Sequence, residues 1–515
     1  MVASLLGRHA TAHVSMGSKR KYPIRDLRAT PAAWNRKPTG RVTRPSYEIA
    51  AAVLASASVG LLVGVSPLAA IALLAAAGAL LLLSRPKWAL WGFLVFLPFF
   101  MYPVTVGGLS LFLGLPAALA VSLVLVGASE GRPRGNVRLP AIAFSVLVIA
   151  AVASALLSSD PPHALSRVVY LISFGIFAGS VAYARSAGVI RDRDVLAPLL
   201  IGATAAAIAL IAQFTIQFAV GTTAVEDQLR SWYPVYGGSS SATSAGQNWI
   251  VPNFDLIRAV FPFMTAPGAG QYMMVALVAG VLTLQSGIGN LDRRWLRWAV
   301  LILVCGLAAT LSRQSWVGAL VAVAIVFLQV RPARLVAGIA VIVVITFLMP
   351  LPGTGETLGQ YLLLSTDVQS ESSGSRIEIW STALEHIENG SVLGLGPGLY
   401  RTLEPDQAVY YAHNVGLDAL VELGYLGGVV FIAFVIRLLA IMWQRSRELV
   451  FPVLIAVVVA NMFDDALYLP RNGFLIAALV GLAGGAVRTR ESGPEAEPAE
   501  VEEPRAAPPA VPAPA

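Results

Sequence analysis

His413 and Asn414 follow Tyr410-Tyr411 and open a long apolar run, which sets an imidazole where an apolar span meets water. An imidazole titrates near neutral pH and can take or give a proton in a reaction, although a lone histidine is more often a hydrogen-bonded structural group. If the helix that follows is regular, Asp418 and Glu422 lie about 140–180° round from the histidine, so neither is its evident orienting partner. Arg258 begins Arg-Ala-Val-Phe-Pro-Phe-Met-Thr-Ala-Pro-Gly, and Arg313 sits in Leu311-Ser-Arg-Gln-Ser315 between two apolar runs. A guanidinium binds phosphate oxygens through two parallel N–H donors and keeps its charge at any working pH, so near-membrane arginines are candidates for holding a phosphorylated substrate. Ser375-Arg376-Ile377-Glu378 has the Ser-x-x-Glu pattern that opens a helix. Downstream, Gly394, Gly396 and Gly398 alternate in Gly-Leu-Gly-Pro-Gly, a backbone free to approach a ligand closely or simply a flexible turn. No strand precedes that turn in a βαβ pattern, so a dinucleotide reading is weak.

These residues must be held by membrane-spanning elements. Of the 515 residues 56% are hydrophobic and 13% charged, with a mean hydropathy of +0.71, against about 25% charged in a soluble domain. The apolar residues fall in runs long enough for a helix to cross a hydrocarbon core of about 30 Å. We read an all-α polytopic membrane protein with about 14 (12–14) such runs between residues 47 and 487, among them 47–65, 67–83, 88–104, 109–128 and 335–351. Assigned to alternate sides, 29 of the 36 Lys and Arg fall on one side; Arg167, Arg230, Arg258, Arg313, Arg376, Arg401 and Arg471 fall on the other. By the positive-inside rule both termini are cytoplasmic, and those seven arginines lie outside. All seven are Arg, yet the chain as a whole has far more Arg than Lys, so that fact alone carries little.

The net charge of +7 invites a nucleic-acid reading, but residues 1–46 hold +9 of it and the tail from 488 holds −3. Nothing in that distribution favours nucleic acid. Residues 1–46 lack the apolar core of a signal peptide and read as a disordered basic cytoplasmic arm suited to anionic headgroups. Residues 488–515, rich in Pro, Ala and Glu, read as a disordered cytoplasmic tail. The body divides into 47–254, spans plus a first outer loop, and 255–487, which contains a large outer loop at 352–412. Within that loop Ile377, Trp380, Leu384 and Ile387 recur at helical spacing. They form an amphipathic helix, either lying on the membrane face with Trp380 at headgroup level or packed against the loop's own core. The single Cys305 and five scattered histidines offer no disulfide and no spacing for a metal, so none is expected. Asp464-Asp465 could neutralise an arginine or cap a helix.

The order of motifs resembles the O-antigen ligase and polymerase superfamily: Arg258 before a span, Ser312-Arg313 between spans, a large loop with Arg376 and Trp380, the glycine turn, then His413-Asn414. The most specific match is His413-Asn414, nine residues, then Gly424-Tyr-Leu-Gly427. The likeness covers roughly 255–430; residues 1–250 match only as a generic set of spans. It implies a GT-C-like, metal-independent, inverting glycosyltransferase without a cofactor, active at the outer face of the bacterial plasma membrane. Its donor would be a glycan on a polyprenyl diphosphate such as undecaprenyl diphosphate, and its acceptor a glycan, lipid or protein, as in cell-envelope polysaccharide synthesis. On the resemblance His413 is the catalytic histidine, Arg258, Arg313 and Arg376 hold the diphosphate, and Asn414, Gly394, Gly396 and Gly398 support the site. The alternatives are a polysaccharide polymerase or protein O-oligosaccharyltransferase of the same superfamily, or, from another class, a lipid-linked sugar transporter or flippase. Against transport, spans one to six carry almost no ionisable residues at depth, and paired broken helices in two related halves are not found.

Overall fold

A computed structural model describes residues 85–100, 103–106, 109–112, 114–129, 141–232, 256–330, 371–390, 392–400, 412–463 and 469–485. The expected arm, the spans at 47–65, 67–83 and 335–351, most of the loop 352–412, Asp464-Asp465 and the tail lie outside those residues. What is described is almost entirely helical. In chain order the helices are α1 (Pro86–Phe96), α2 (Gly114–Gly127), α3 (Ala141–Leu156), α4 (Pro161–Ser186), α5 (Asp192–Val220), α6 (Thr222–Trp232) and α7 (Ala266–Ser286). They continue with α8 (Arg293–Ala309), α9 (Arg313–Val330), α10 (Glu371–Asn389), α11 (Val415–Arg445), α12 (Val450–Asn461) and α13 (Pro470–Gly484). Four of them, α4, α5, α7 and α11, are long and apolar enough to cross a membrane, and several shorter apolar helices accompany them.

The expected span 88–104 is corrected. Helix α1 ends at Phe96, a 3-10 turn covers Leu97–Phe99, and an antiparallel hairpin pairs Pro103–Val106 with Leu109–Phe112. Pro98 and Pro103 explain this, since proline removes a helical donor and clashes with the preceding turn. A second difference is α6, an amphipathic helix within the expected first outer loop, where Arg230 pairs with Glu226 one turn away.

Helix boundaries follow local chemistry. Asp160 accepts from His163 N–H at 3.3 Å before Pro161-Pro162, and Thr265 accepts from Gly268 N–H at 3.2 Å before α7. Each supplies an oxygen to an amide that has no partner within the first turn. Between helices the packing uses small residues, as expected where lipid supplies no hydrophobic drive between them. A Cβ on Gly481 would lie 2.5 Å from the Ala178 carbonyl, so α13 and α4 meet backbone to backbone. Above that contact Phe93, Phe177 and Phe474 pack with ring centroids 5.0–5.7 Å apart. Nearly every side chain of α13 is buried, which makes this short helix a central strut of the bundle.

Candidate active site

Between α6 and α7 the chain runs without helix through residues 256–265. Buried non-helical backbone must have its amides and carbonyls satisfied, and α5 supplies two glutamines one turn apart for this. Gln217 accepts from Ile257 N–H at 2.8 Å and donates to its carbonyl at 3.1 Å. Gln213 accepts from Val260 and Phe261 N–H at 2.9 and 2.8 Å and donates to the Arg258 carbonyl at 3.3 Å. On the other side Ala259 N–H donates to the Ala309 carbonyl at 3.0 Å. That bond ties the segment carrying Arg258 to the end of α8, just ahead of the turn that carries Arg313.

The turn itself is tight. Leu311 has φ +49°, Ser312 and Ser315 share a hydrogen bond of 2.8 Å, and Gly270 of α7 lies against Ser312 where a Cβ would come within 2.4 Å. Arg313 is the first residue of α9, and both it and Arg258 are half-buried. A cation at a helix N-terminus opposes the helix dipole, which favours anions there. The position therefore gains nothing for the helix, while a guanidinium and a dipole both directed at an anion would reinforce one another.

Arg471, by contrast, is structural. It is 5% exposed and donates to the carbonyls of Pro98, Pro262 and Phe263, with its guanidinium carbon 5.4 Å from the Phe263 ring centroid. It thereby satisfies backbone acceptors within the irregular segment and in the turn after α1. Of the seven arginines expected on the outer side, Arg471 holds backbone carbonyls and Arg230 pairs with Glu226. Arg401 and the side chain of Arg376 lie outside the described residues, although the backbone of Arg376 is in α10.

His413 is built by a second group of contacts. It has φ +49° and precedes α11, whose N-cap is Asn414: the Asn414 side-chain oxygen accepts from Gly416 and Leu417 N–H at 2.9 and 3.2 Å. The helix therefore starts after the histidine, and the angular argument that set Asp418 aside does not apply. Asp418, 1% exposed, accepts from Ala412 N–H at 2.9 Å, while Trp380 Nε1–H of α10 donates to the Ala412 carbonyl at 2.8 Å. Both polar groups of the residue before His413 are thus gripped, one by the buried Asp418 and the other by the half-buried Trp380. His413 is half-buried, with Nδ1 enclosed. Trp380 thus packs on a core that Ile379, Ala383 and Ile387 of α10 form with Tyr400, Ala412 and Val421.

The glycine turn approaches α11. Gly424 has φ +69° and interrupts that helix, freeing backbone groups that the turn takes up. Leu395 and Gly396 N–H donate to the Val421 and Glu422 carbonyls at 3.1 and 2.9 Å. Ser154 Oγ of α3 also donates to the Glu422 carbonyl, at 2.8 Å. Cβ atoms are excluded on both sides, since one on Gly394 would lie 2.3 Å from Gly424 N and one on Gly424 2.2 Å from the Val392 carbonyl. Gly398, φ +78°, lies directly against Arg167 of α4, with a Cβ position 2.8 Å from Arg167 Cγ and 3.0 Å from Nε. Sequence reasoning counted Arg167 among the outside arginines but did not select it; only the fold brings its guanidinium stem onto the turn. Leu399 then packs with Val168, and Tyr400 with Ala412, which links Arg167 to the residue that precedes His413.

The role of Asp418 is testable. Displacing a reacting group by about 1 Å can cost on the order of 10²-fold in rate. Asp418→Ala is therefore expected to lower kcat about ten-fold or more with little change in donor KM. Asp418→Asn, whose amide oxygen can still accept from Ala412 N–H, should recover most of the loss in steady-state transfer assays. Equal losses in both variants would sink the positioning role.

Residues 298–432 match the O-antigen ligase family, a stretch that includes Arg313, the glycine turn, His413 and the α11 break, and that leaves Arg258 outside. The match supports membership of the O-antigen ligase superfamily. No curated protein matches the chain.

Proposed function

From membership of that superfamily we infer that this membrane enzyme transfers a glycan from a polyprenyl diphosphate to an acceptor hydroxyl at the outer face of the plasma membrane. The observation that carries the reading is the pair of half-buried arginines, Arg258 and Arg313, on two backbone corners joined by the bond from Ala259 to Ala309. In the reaction the acceptor oxygen bonds to the anomeric carbon with inversion while the carbon–oxygen bond to the diphosphate breaks. The leaving diphosphate keeps the electron pair, and the acceptor proton passes to His413. With Nδ1 enclosed, Nε2 is the nitrogen assigned to that proton. Negative charge grows on the leaving group as the bond breaks, and fixed cations in a poorly hydrated cleft stabilise that change most. Arg258 and Arg313 supply those cations, with Arg376 assisting from α10. The donor is already activated by its diphosphate, so the chemistry on this side of the membrane needs no nucleotide.

The asymmetry of positive charge supports cytoplasmic termini and an extracytoplasmic site. Membranes containing the protein, given a polyprenyl-diphosphate glycan and a panel of lipid, glycan and peptide acceptors, should release the lipid diphosphate in step with glycan transfer. The acceptor consumed separates a ligase from a polymerase or a protein-modifying enzyme. Movement of the intact donor across the bilayer without transfer would overturn the reading in favour of transport.

A further inference from the structure

Helix α11 carries His413 just before its first residue, and at its other end, 31 residues on, it reaches a cavity of about 320 Å³. The cavity opens where the ends of α4, α5, α11 and α13 meet, and Arg185, Asp192, Arg445, Arg447, Leu449 and Leu482 are among its lining residues. Its cations are held in fixed positions. Arg185 grips Asp192 through Nε and a terminal nitrogen, both at 2.6 Å, and the Leu482 carbonyl at 2.8 Å. Arg445 donates to the Gly484 carbonyl at 2.9 Å. Both therefore bind the carbonyl end of α13, where the helix dipole favours a cation. Arg447 is different. It is exposed, and its guanidinium lies over the ring of Trp443, 4.0 Å from the centroid, a stacked arrangement that leaves the edge of the fork free for an anion.

Two features select the ligand. Three guanidinium groups face two carboxylates in the lining, Asp192 and Glu448, leaving one net positive charge, which matches a singly charged phosphodiester. Leading away from the cavity along α11, Val429, Ile432, Ile436 and Trp443 are exposed at 61%, 42%, 62% and 42%. Their spacing of three, four and seven puts them on one face of the helix, an apolar track that ends at the stacked arginine. Tryptophan is favoured at the membrane–water boundary, and basic pockets between helix ends accept lipid headgroups. We propose that this cavity binds the phosphodiester headgroup of an anionic phospholipid, with Arg447 as the contacting cation and an acyl chain along the α11 track.

The test uses the full-length protein purified in neutral detergent. Phosphatidylglycerol, phosphatidylcholine and inorganic phosphate are compared by native mass spectrometry and by thermal unfolding. Phosphatidylglycerol should bind more tightly than phosphatidylcholine and raise Tm, and inorganic phosphate should do neither. One exposed arginine near a membrane surface is worth about fivefold in affinity for anionic lipid. Arg447→Gln should therefore lose about that factor for phosphatidylglycerol, whereas Arg230→Gln on α6 should keep wild-type binding. Unchanged lipid binding by Arg447→Gln would overturn the proposal. So would phosphatidylcholine binding as tightly as phosphatidylglycerol, or inorganic phosphate matching the lipid, which would indicate a site for a free anion.

Discussion

His413→Ala should reduce glycan transfer by about 10²- to 10⁴-fold, the range a positioned proton acceptor contributes, while leaving membrane insertion and thermal unfolding nearly unchanged. The fold argues for that separation. His413 lies outside α11, whose N-cap is the neighbouring Asn414, so removing the imidazole leaves the cap of that helix in place. Ala412 keeps its bonds to Trp380 and Asp418, so the backbone on which the histidine stands should persist. A non-glycine residue at φ +49° costs energy that the surroundings must supply. The substituted alanine faces the same cost, and the variant therefore isolates the ring. Transfer assays on membranes with matched protein levels give the measurement. Near-normal turnover would remove His413 from the chemistry, and loss of the folded protein would reassign it to structure.

Neutralising either member of the arginine pair is expected to cost about 10²- to 10³-fold in kcat, the scale for removing one donor that stabilises developing negative charge. Arg313→Gln tests the cation at the start of α9, and Arg258→Gln the cation on the glutamine-held segment. Around Arg258, Gln213 and Gln217 hold residues 257–261 through main-chain groups, so that segment has support besides the guanidinium. Lysine at either position keeps the charge but loses the two-pronged donor, so it should recover only part of the rate. The double variant should lose less than the product of the two single losses, because groups acting on one leaving group are not additive. Independent losses that multiply fully, or an increase in donor KM with kcat unchanged, would mean that the arginines do not share a diphosphate in the transition state.

Much of this arrangement could be read in the chain because its causes are local or compositional. The apolar runs predicted α4, α5, α7 and α11, since burying a helix backbone in hydrocarbon demands about twenty apolar residues in sequence. Ile377 through Ile387 predicted α10 by its 3.6-residue period, although the helix opens at Glu371 and Ser375 lies inside it rather than at its start; the order of arginine, glycine and histidine motifs pointed to the superfamily. Prolines 98 and 103 were equally visible, yet the run from 88 to 104 read as a span because mean hydropathy takes no account of a missing amide donor. His413 was judged against a helix that in fact begins two residues later. That single displacement hid Asp418, which reaches back to Ala412.

The remaining decisions required residues distant in the chain to meet. Ala259 bonds Ala309, Arg471 reaches Pro98 and Pro262, and Gly398 lies on Arg167. Each contact exists because a backbone group buried away from water must find a partner, or because two backbones approach too closely to admit a Cβ. Neither requirement leaves a periodic trace. The type and membrane setting of the elements were thus written in hydropathy and charge, which act residue by residue. That Arg471 holds backbone carbonyls was settled by packing, which acts between residues distant in the chain.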